Sequence, residues 1–374
     1  MCAKLLFAGD FVFSNDISIK SFEFDKKVKE MISEHDIFCC NLEGPIISDN
    51  CKKIKKIGPN INNNKDTLLK LKQSGCNLLC LANNHIFDYG YNGLKETCDF
   101  LKRENIPYLG ADLKKDDIYS LYDIEINGVK ISFLNICENG FGASIDLEYG
   151  YAYAFDNKVK NLIIKAKENA DYLIVISHMG AEHWDFPLPE VRKFYKEIID
   201  LGADIVIAHH PHIPQGWEEY KNKPIFYSLG NFIFDKGKGI QNPSSYFVSI
   251  ILEKNKKIKY KIVPFIFDNY ILKKDIKNYD NLCDVLHNDE LYNTLLETAI
   301  NKAYEYYKKC YYKVVSYDRG TLKDRLKGYI KRVILRRKFQ DIWLYHNLNI
   351  ETHLWICKRA TRKIIENNME EISK

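Results

Sequence analysis

The chain has 374 residues, of which 46% are hydrophobic and 28% are charged, and its formal net charge is +5. This length accommodates one large α/β domain with an additional segment, and the apolar fraction suffices for a sizeable core. A net charge of +5 is small for a chain of this length. The charge balance therefore does not indicate a nucleic-acid partner, and we expect none.

Three features of the sequence predict a cytoplasmic protein. The apolar stretch within residues 1–10 is too short for a signal peptide and is better interpreted as a first strand. No apolar run approaches the length of a membrane-spanning helix. The eleven cysteines are odd in number and contain no Cys-x-x-Cys pair. This pattern favours a reducing compartment over a disulfide framework.

Up to about residue 210 the sequence alternates between strand-like and helix-like segments, with Gly or Asn at the turns. The predicted strands of this part are residues 4–8, 36–40, 77–82, 172–176 and 203–208. The predicted helices are residues 22–33, 66–73, 92–104, 157–169 and 189–201. Segments 118–126 and 129–136 predict a hairpin across Asn127-Gly128. Further short strands are predicted at residues 224–228, 244–252 and 257–265. Parallel units combined with hairpins indicate an α/β fold of two packed sheets with helices outside.

The composition changes after residue 271, where Gly and Pro almost vanish and the sequence becomes helical and charged. We predict a main domain over residues 1–271 and a helical, basic C-terminal region over residues 272–374. The helices predicted in this second region are residues 289–312, 321–338 and about 348–367.

Polar residues with metal-binding groups follow five of the strand-like segments. The carboxyl ends of parallel strands in an α/β sheet share one edge, where ligands bind. Two carboxylates, an amide and several imidazoles at one edge are typical of a divalent-metal site. Taken singly, Asp10 also fits an ordinary turn, and Glu43 also fits a surface loop. The residues concerned are Asp10, Asn41, Glu43, Asn83, Asn84, His85, His178, His210 and His212.

The run His209-His210-Pro211-His212 is the most specific of these motifs. Pro211 stiffens the turn between two imidazoles. In extended backbone, side chains at positions i and i+2 share a face. We therefore predict that His210 and His212 bind one metal cluster, while His209 points away and has a structural role.

Acid–base candidates lie beside these ligands. An Asn oxygen can bind a metal, and His85 can either bind one or act as an acid. Asp88 either orients His85 as a supporting carboxylate or caps the next helix or turn. Glu182 either orients a ligand or serves as a base, and Gly180 permits close approach of the backbone. His183 fits a surface position better.

The last motif is Ser228-Leu229-Gly230-Asn231-Phe232. It follows another predicted strand and brings the Asn231 amide to the same edge. The alternative is an ordinary turn.

Together these motifs resemble the CapA family of poly-gamma-glutamate capsule synthesis proteins, which is related to the calcineurin-like metallophosphoesterases. The resemblance covers roughly residues 3–267. The matching stretches are Gly9-Asp10, Asn41-Leu42-Glu43, Asn83-Asn84-His85 with Asp88 and Gly90, His178 with Gly180 and Glu182, His209-His210-Pro211-His212 with Gln215, and Ser228-Leu229-Gly230-Asn231-Phe232.

The resemblance implies a four-layer α/β/β/α sandwich with a metal site at its strand ends; the C-terminal helical appendage falls outside it. The implied metal ligands are Asp10, Glu43, Asn84, His178, His210 and His212. The resemblance implies that His85 lies at the catalytic edge and that Glu182 and Asn231 line the pocket. We predict His85, Glu182 and Asp88 as catalytic residues and Asn83, Asn231 and Gly180 as substrate-binding residues. Metallophosphoesterases carry Asp-x-His at the first strand, whereas this chain has Asp10-Phe11-Val12.

The resemblance further implies a metal-dependent enzyme that acts on an anionic capsule or surface polymer. Oxygen and nitrogen ligands without thiolate suit one or two Mn, Fe or Zn ions. Ester or amide hydrolysis and proton abstraction beside a carbonyl remain open, and so does a plain phosphoesterase. A non-catalytic accessory that holds polymer or synthase subunits is the alternative from another class.

A basic cluster in the C-terminal region suggests a further partner. It lies beside an apolar stripe at helical spacing, formed by Leu322, Leu326, Tyr329 and Val333. The pattern fits contact with a membrane surface, a synthase complex or a polyanion such as polyglutamate or an acidic glycan. The alternative, which the pattern favours, is a solvated helix whose stripe packs on the main domain. The basic residues are Lys323, Arg325, Lys327, Lys331, Arg332, Arg336, Arg337 and Lys338.

Overall fold

The computed structural model describes residues 1–14, 21–48, 50–56, 58–145, 147–236 and 239–315, together with Thr352, Trp355, Ile356, Lys358 and Arg359. The chain forms two compact units. The first comprises Met1–Ile54 and Asn60–His287, and the second comprises Lys55–Pro59 and Asn288–Lys374. The division predicted after residue 271 stays a prediction. The basic cluster at 323–338 and the helix predicted at 321–338 lie outside the described residues, as does most of the helix predicted at 348–367.

In chain order the elements are β1 (Ala3–Phe13), β2 (Glu23–Phe24), α1 (Lys26–Ser33), β3 (Ile37–Leu42), α2 (Lys65–Gln73), β4 (Leu78–Cys80), α3 (Gly90–Arg103), β5 (Tyr108–Leu109), β6 (Ala111–Asp112), α4 (Lys115–Ile118), β7 (Tyr122–Ile126), β8 (Val129–Cys137), β9 (Gly150–Tyr151), α5 (Asn157–Asn169), β10 (Tyr172–His178), α6 (Pro189–Leu201), β11 (Ile205–His209), β12 (Trp217–Tyr220), β13 (Lys223–Phe226), β14 (Asn231–Asp235), β15 (Ser244–Leu252), β16 (Lys259–Asp268), β17 (Ile271–Lys274), α7 (Asn281–His287) and α8 (Asp289–Val315).

Two sheets organise the first unit. The larger has the strand order β2-β17-β16-β15-β1-β3-β4-β5, with β14 also paired to β1. Within it, β1 runs parallel to β3 and β14 and antiparallel to β15. The smaller sheet has the order β12-β13-β11-β10-β8-β7, in which β8, β10, β11 and β13 are parallel. The combination of parallel units with antiparallel hairpins agrees with the sequence prediction.

The side chains of β1 alternate between two apolar cores. Leu5 and Phe7 join residues of β8, β10 and β11 in a core between the sheets. Leu6 and Ala8 join residues of α1, α2 and α3 on the other face. Helices α5 and α6 cover the smaller sheet through β8, β10 and β11. The layers are therefore α/β/β/α, which confirms the predicted four-layer sandwich. Burial of both faces explains why these strands are nearly continuous apolar runs.

Local signals set the bounds of several helices. Helices α5 and α6 have the predicted bounds, with the Asp156 carboxylate accepting from the Lys158 N–H (2.9 Å) at the start of α5. Gly202 follows α6 with a φ of +133°, a conformation that favours glycine. Among the described residues, every helix is either too short or too polar to span a bilayer.

The predicted first residues of two elements were wrong. Residues 22–33 were predicted as one helix, but Glu23–Phe24 form β2 and pair with β17. The helix begins at Lys26, because the Asp25 side chain accepts from the Val28 N–H (2.7 Å). Likewise, the strand predicted from residue 118 begins at Tyr122, after the short helix α4.

Candidate metal centre

The carboxyl ends of strands from both sheets meet at one edge of the sandwich. In the larger sheet Asp10 of β1 pairs with Asn41 of β3 and with Asn231 of β14. In the smaller sheet His178 of β10 pairs with His209 of β11. The Asp10 Oδ1 atom lies 3.8 Å from the His178 Nδ1 atom, so the two edges are in contact.

Asp10, Glu43 and His212 form a first group of donor atoms. One ligand atom from each lies within 4.8 Å of the others, and all three side chains are buried. The His212 ring lies 3.5 Å from Asp10 Oδ2 through Nδ1 and 3.7 Å from Glu43 Oε1 through Nε2. Neither carboxylate oxygen of Glu43 has a hydrogen-bond partner among the described residues. A buried carboxylate is costly unless a cation or donor compensates it, so this group fits a divalent metal.

Asn84, His178 and His210 form a second group. The His178 Nε2 atom lies 3.0 Å from Asn84 Oδ1 and 3.0 Å from His210 Nδ1. Burial, with a smaller contribution from His210, lowers the pKa of His178 well below its usual value. A neutral imidazole beside an amide oxygen and a second imidazole is a set of ligands that suits Mn, Fe or Zn.

The charges at the first group favour a cation between the carboxylates. Burial raises the pKa of Glu43 to about 8. Burial alone would lower the pKa of His212, but Glu43 and Asp10 outweigh it and raise that pKa to about 10. Burial alone would raise the pKa of Asp10, but contact with His212 and the nearby His209 and His178 hold it well below the ordinary value. A divalent ion would supply the positive charge that these carboxylates attract.

Neighbouring amides hold the ligands in place. The Asn41 Nδ2 group donates to Asp10 Oδ1 (2.8 Å) and lies 3.3 Å from His178 Nδ1. The Asn231 Oδ1 atom lies 3.1 Å from His212 Nδ1. These contacts fix ring orientation, as residues that support metal ligands do. They give Asn231 a positioning role in addition to the predicted contact with substrate, which stays a prediction.

His85 and Asp88 form a pair beside the first group. Asp88 Oδ2 lies 2.7 Å from His85 Nδ1 and also accepts from the Ile61 N–H (2.8 Å). The His85 Nε2 atom lies 3.8 Å from Glu43 Oε1. Of the two roles predicted for Asp88, the geometry favours orientation of His85 over capping of α3, whose first residue follows Tyr89. With Nδ1–H directed at Asp88, the Nε2 atom is the one available for proton transfer.

Asn83 was predicted to bind substrate, and its side chain lies fully inside the protein. Its Nδ2 group donates to Asn41 Oδ1 (3.1 Å) and to the Leu42 carbonyl oxygen (2.8 Å). Its Oδ1 atom accepts from the His85 N–H (3.2 Å). These contacts favour a role in positioning the loop that carries Asn84 and His85.

Gly180 and Glu182 lie on the loop after β10. Gly180 has a φ of +142°, and its N–H donates to Glu138 Oε1 (3.0 Å). Glu182 is half-buried, and its charge raises the pKa of both Glu43 and His212. The proton-transfer role predicted for Glu182 stays a prediction. His183 is exposed, with its ring centroid 6.0 Å from that of His212.

Glu138 is a buried residue of this site that the sequence analysis missed. Its Oε1 atom lies 4.0 Å from His210 Nε2 as well as next to Gly180. The signal was present, because Glu138 directly follows β8 just as Glu43 directly follows β3. A second missed residue is Lys236, whose charge lowers the pKa of Glu43 and His183.

The geometry of the histidine run differs from the prediction. Strand β11 ends at His209, and His210 and His212 have φ values of +100° and +60°. The two rings therefore converge, with centroids 6.0 Å apart, through left-handed backbone and not through extended backbone. Such conformations are costly for residues other than glycine and are common at functional sites. The prediction that His209 points away was wrong, since its Nδ1 atom lies 3.6 Å from Asp10 Oδ1.

Residues 4–236 match the model of a family described as "Bacterial capsule synthesis protein PGA_cap". The chain belongs to this family. The matched region of this PGA_cap protein contains both donor groups, the His85–Asp88 pair and the strands that carry them. It ends before β15.

Curated relatives carry names from capsule synthesis. The "Capsule biosynthesis protein CapA" of Bacillus anthracis is 32% identical over 64% of this chain and 60% of its own length. The "PGA biosynthesis protein CapA" of Bacillus subtilis is 32% identical over 63% of each chain. A "Probable polyglutamine synthesis accessory protein" of Mycobacterium tuberculosis is 29% identical over 44% of this chain and 47% of its own. The PGA_cap chain thus spans about three fifths of the length of the two CapA relatives.

Solved structures whose backbones align with this chain have low sequence identity to it. A 5'-nucleotidase from Candida albicans is 14% identical, with a TM-score of 0.44, over 72% of this chain and 53% of its own. A hypothetical protein from Thermus thermophilus is 13% identical, with a TM-score of 0.43, over 73% of this chain and 99% of its own.

Proposed function

We propose that this PGA_cap protein is a metal-dependent hydrolase that acts in the synthesis or processing of an anionic surface polymer such as poly-gamma-glutamate. The observation that carries the proposal is the buried Glu43 carboxylate, which has no hydrogen-bond donor among the described residues and faces His212 and His85. The names of the CapA relatives supply the polymer context.

Two sets of side chains would hold the metal. Asp10, Glu43 and His212 would hold one ion, and Asn84, His178 and His210 would hold a second. When bound, Mn, Fe or Zn would polarise a carbonyl or phosphoryl oxygen and make a bound water more acidic.

The first set lacks a fourth ligand, because β1 has no histidine two residues after Asp10. Val12 stands where a metallophosphoesterase-like Asp-x-His motif would place a histidine. Its side chain is fully buried against Ile61 and Phe234. We infer that the first set binds its ion less tightly than it would with a histidine at this position.

The chain's own residues would orient the substrate and move protons. His85 would hold or release a proton at Nε2, because Asp88 fixes the other ring nitrogen at 2.7 Å. Glu182, half-buried on the loop after β10, would be the second acid–base group. The 3.8 Å distance from His85 Nε2 to Glu43 Oε1 supports proton transfer by His85 next to the donor groups.

The test is elemental mass spectrometry on the purified wild-type chain and on the His210→Ala/His212→Ala variant. We expect one or two Mn, Fe or Zn ions per chain in the wild type and their loss in the variant. Hydrolysis of γ-linked glutamate oligomers and of p-nitrophenyl phosphate, with each metal added back, then identifies the bond that is cleaved. A wild-type chain that takes up none of these metals would reject the proposal.

The second candidate is a non-catalytic accessory of a polymer synthesis complex. The name of the mycobacterial relative favours it, and so does Val12, whose side chain cannot bind a metal. In this case His210→Ala would leave polymer production intact, while deletion of residues 321–374 would abolish it. Contact of this C-terminal segment with a membrane surface or a synthase stays a prediction.

A further inference from the structure

A lysine-rich loop lies on the His85 side of the metal centre. Between residues 50 and 65 the sequence has five lysines and no Asp or Glu. Lys52 and Lys53, in the basic loop formed by residues 51–54, are exposed. Neither forms an ion pair with any residue that the structure describes. Two adjacent ammonium groups that have no counterion among the described residues are available to an anion from outside.

Hydrogen bonds tie this basic loop to the residue that supports His85. The Ile54 N–H donates to the carbonyl oxygen of Asp88 (3.0 Å). The Asn60 side-chain amide donates to the same oxygen (2.9 Å) and to the Ile54 carbonyl oxygen (3.3 Å). The Asp88 carboxylate in turn lies 2.7 Å from His85. The basic loop is therefore fixed to the backbone of the His85–Asp88 pair.

Negative side chains at the metal centre repel a polyanionic substrate, and a basic loop nearby would offset this repulsion. Asp10, Glu43, Glu138 and Glu182 are buried or half-buried at the centre. Of these, Glu138 and Glu182 lie outside the two proposed metal-ligand sets, and their charges oppose the approach of a polymer that repeats a negative charge at every unit. Exposed cations on the His85 side of the centre offset that repulsion and raise the local concentration of the polymer. Lysine ammonium groups bind carboxylates as point charges.

We propose that the basic loop is the docking site that brings a carboxylate polymer to the metal centre. This proposal rests on the proposed function for the polymer class and adds the surface that binds it. The polymer would lie across Lys52 and Lys53, with one unit entering beside His85. This surface is distinct from the basic cluster at residues 323–338.

The experiment measures binding of a fluorescent γ-linked glutamate decamer to the full chain by anisotropy, at low and high salt. We expect Lys52→Ala/Lys53→Ala to weaken binding at low salt by at least about fivefold and to reduce its salt dependence. The matched control is Lys256→Ala/Lys257→Ala. These adjacent exposed lysines lie in the turn after β15, whose Leu252 pairs with Ala3 at the amino end of β1. We expect the control to bind within twofold of wild type.

Three outcomes would overturn the proposal: no binding of the decamer by wild type, equal loss in both double variants, or tighter binding of an oligothymidylate of matched charge through the same lysines. Metal content separates this proposal from the proposed function. If the wild type binds the decamer through Lys52 and Lys53 but takes up no metal, the docking site stands and the hydrolase proposal fails. If the Lys52→Ala/Lys53→Ala variant binds metal normally and the decamer as tightly as wild type, only the docking site fails.

Discussion

The Asn231 Oδ1 atom lies 3.1 Å from Nδ1 of His212. Asn231 is the first residue of β14 and pairs with Asp10 of β1. The pairing of β1 with β14 therefore connects the ligand Asp10 to the residue that contacts the ligand His212. The Asn231 Nδ2 group donates to the Gln241 carbonyl oxygen (3.1 Å), which fixes the amide. The ring of His212 is thus oriented from the sheet that also carries Asp10.

The first prediction concerns this contact. Asn231→Ala should weaken metal binding by about 10-fold or more, because loss of a residue that orients a metal-binding histidine has effects of that size. Competition against a chromophoric chelator measures the affinity. The matched control is Asn77→Ala, since Asn77 accepts from the Phe38 N–H (2.8 Å) near the amino end of β3. Equal metal affinity in the two variants would show that Asn231 does not orient a ligand.

The second prediction concerns the His85–Asp88 pair. Asp88→Asn keeps an oxygen for the Ile61 N–H but removes the negative charge beside His85. We expect kcat to fall by about 10-fold to 100-fold while metal content stays at the wild-type value. Steady-state kinetics and elemental analysis on the same samples provide both quantities. A change in KM alone would assign Asp88 to substrate binding.

The third prediction concerns the close approach of two backbones below the site. A Cβ atom on Gly9 would lie 1.8 Å from the carbonyl oxygen of Gly230. Gly9→Ala should therefore destabilise the fold by about 3 kcal/mol or more, since a backbone contact cannot relax as a flexible side chain can. Urea unfolding measures the loss. The control is Gly128→Ala, where φ is +78° and no atom lies within 4 Å. There only the backbone penalty of about 1–2 kcal/mol is expected.

The fourth prediction concerns Glu218 of β12. Burial alone would raise its pKa, but the Tyr227 hydroxyl and the charges of Arg192 and Lys196 outweigh burial and lower it below 4.5. A carboxylate with a depressed folded pKa stabilises the protein above its unfolded pKa, and this stability is lost as pH falls through the folded pKa. Glu218→Gln should therefore destabilise the chain by about 3 kcal/mol at neutral pH and by less in acid.

Urea unfolding of wild type and Glu218→Gln at neutral pH and below pH 4.5 tests this sign. Glu219→Gln is the control, because the next residue along β12 makes an ion pair with the exposed Lys257 at 3.3 Å. Such surface pairs contribute about 1 kcal/mol or less. A difference for Glu218→Gln that grows in acid would contradict the assignment.

The fifth prediction concerns removal of the metal. A ligand that binds only the folded state at 100 times its Kd stabilises that state by about 2.7 kcal/mol. Treatment with EDTA should therefore lower the Tm of wild type, and Mn or Zn should restore it. The His210→Ala/His212→Ala variant should not respond to either addition. Differential scanning calorimetry on both chains provides the measurement, and an equal response of the two would place the metal elsewhere.

The sequence by itself determined the layers of the fold and the set of residues at the strand ends. Continuous apolar runs predict strands with both faces buried, as in the parallel strands of an α/β sandwich. Strand β11, Ile205–His209, is such a strand, since all of its residues are buried. Because the carboxyl ends of such strands share an edge, the residues that follow them had to lie close together. Asp10, Glu43 and His212 do so.

Only the tertiary structure decided how individual side chains are used. Glu138, His209 and Asn83 contact residues more than 40 positions away in the sequence, and no local pattern specifies those contacts. The left-handed backbone at His210 and His212 reverses the geometry expected of an extended run. A periodic pattern determines which face of an element is buried, whereas the partner of a buried polar atom depends on the packing of distant segments.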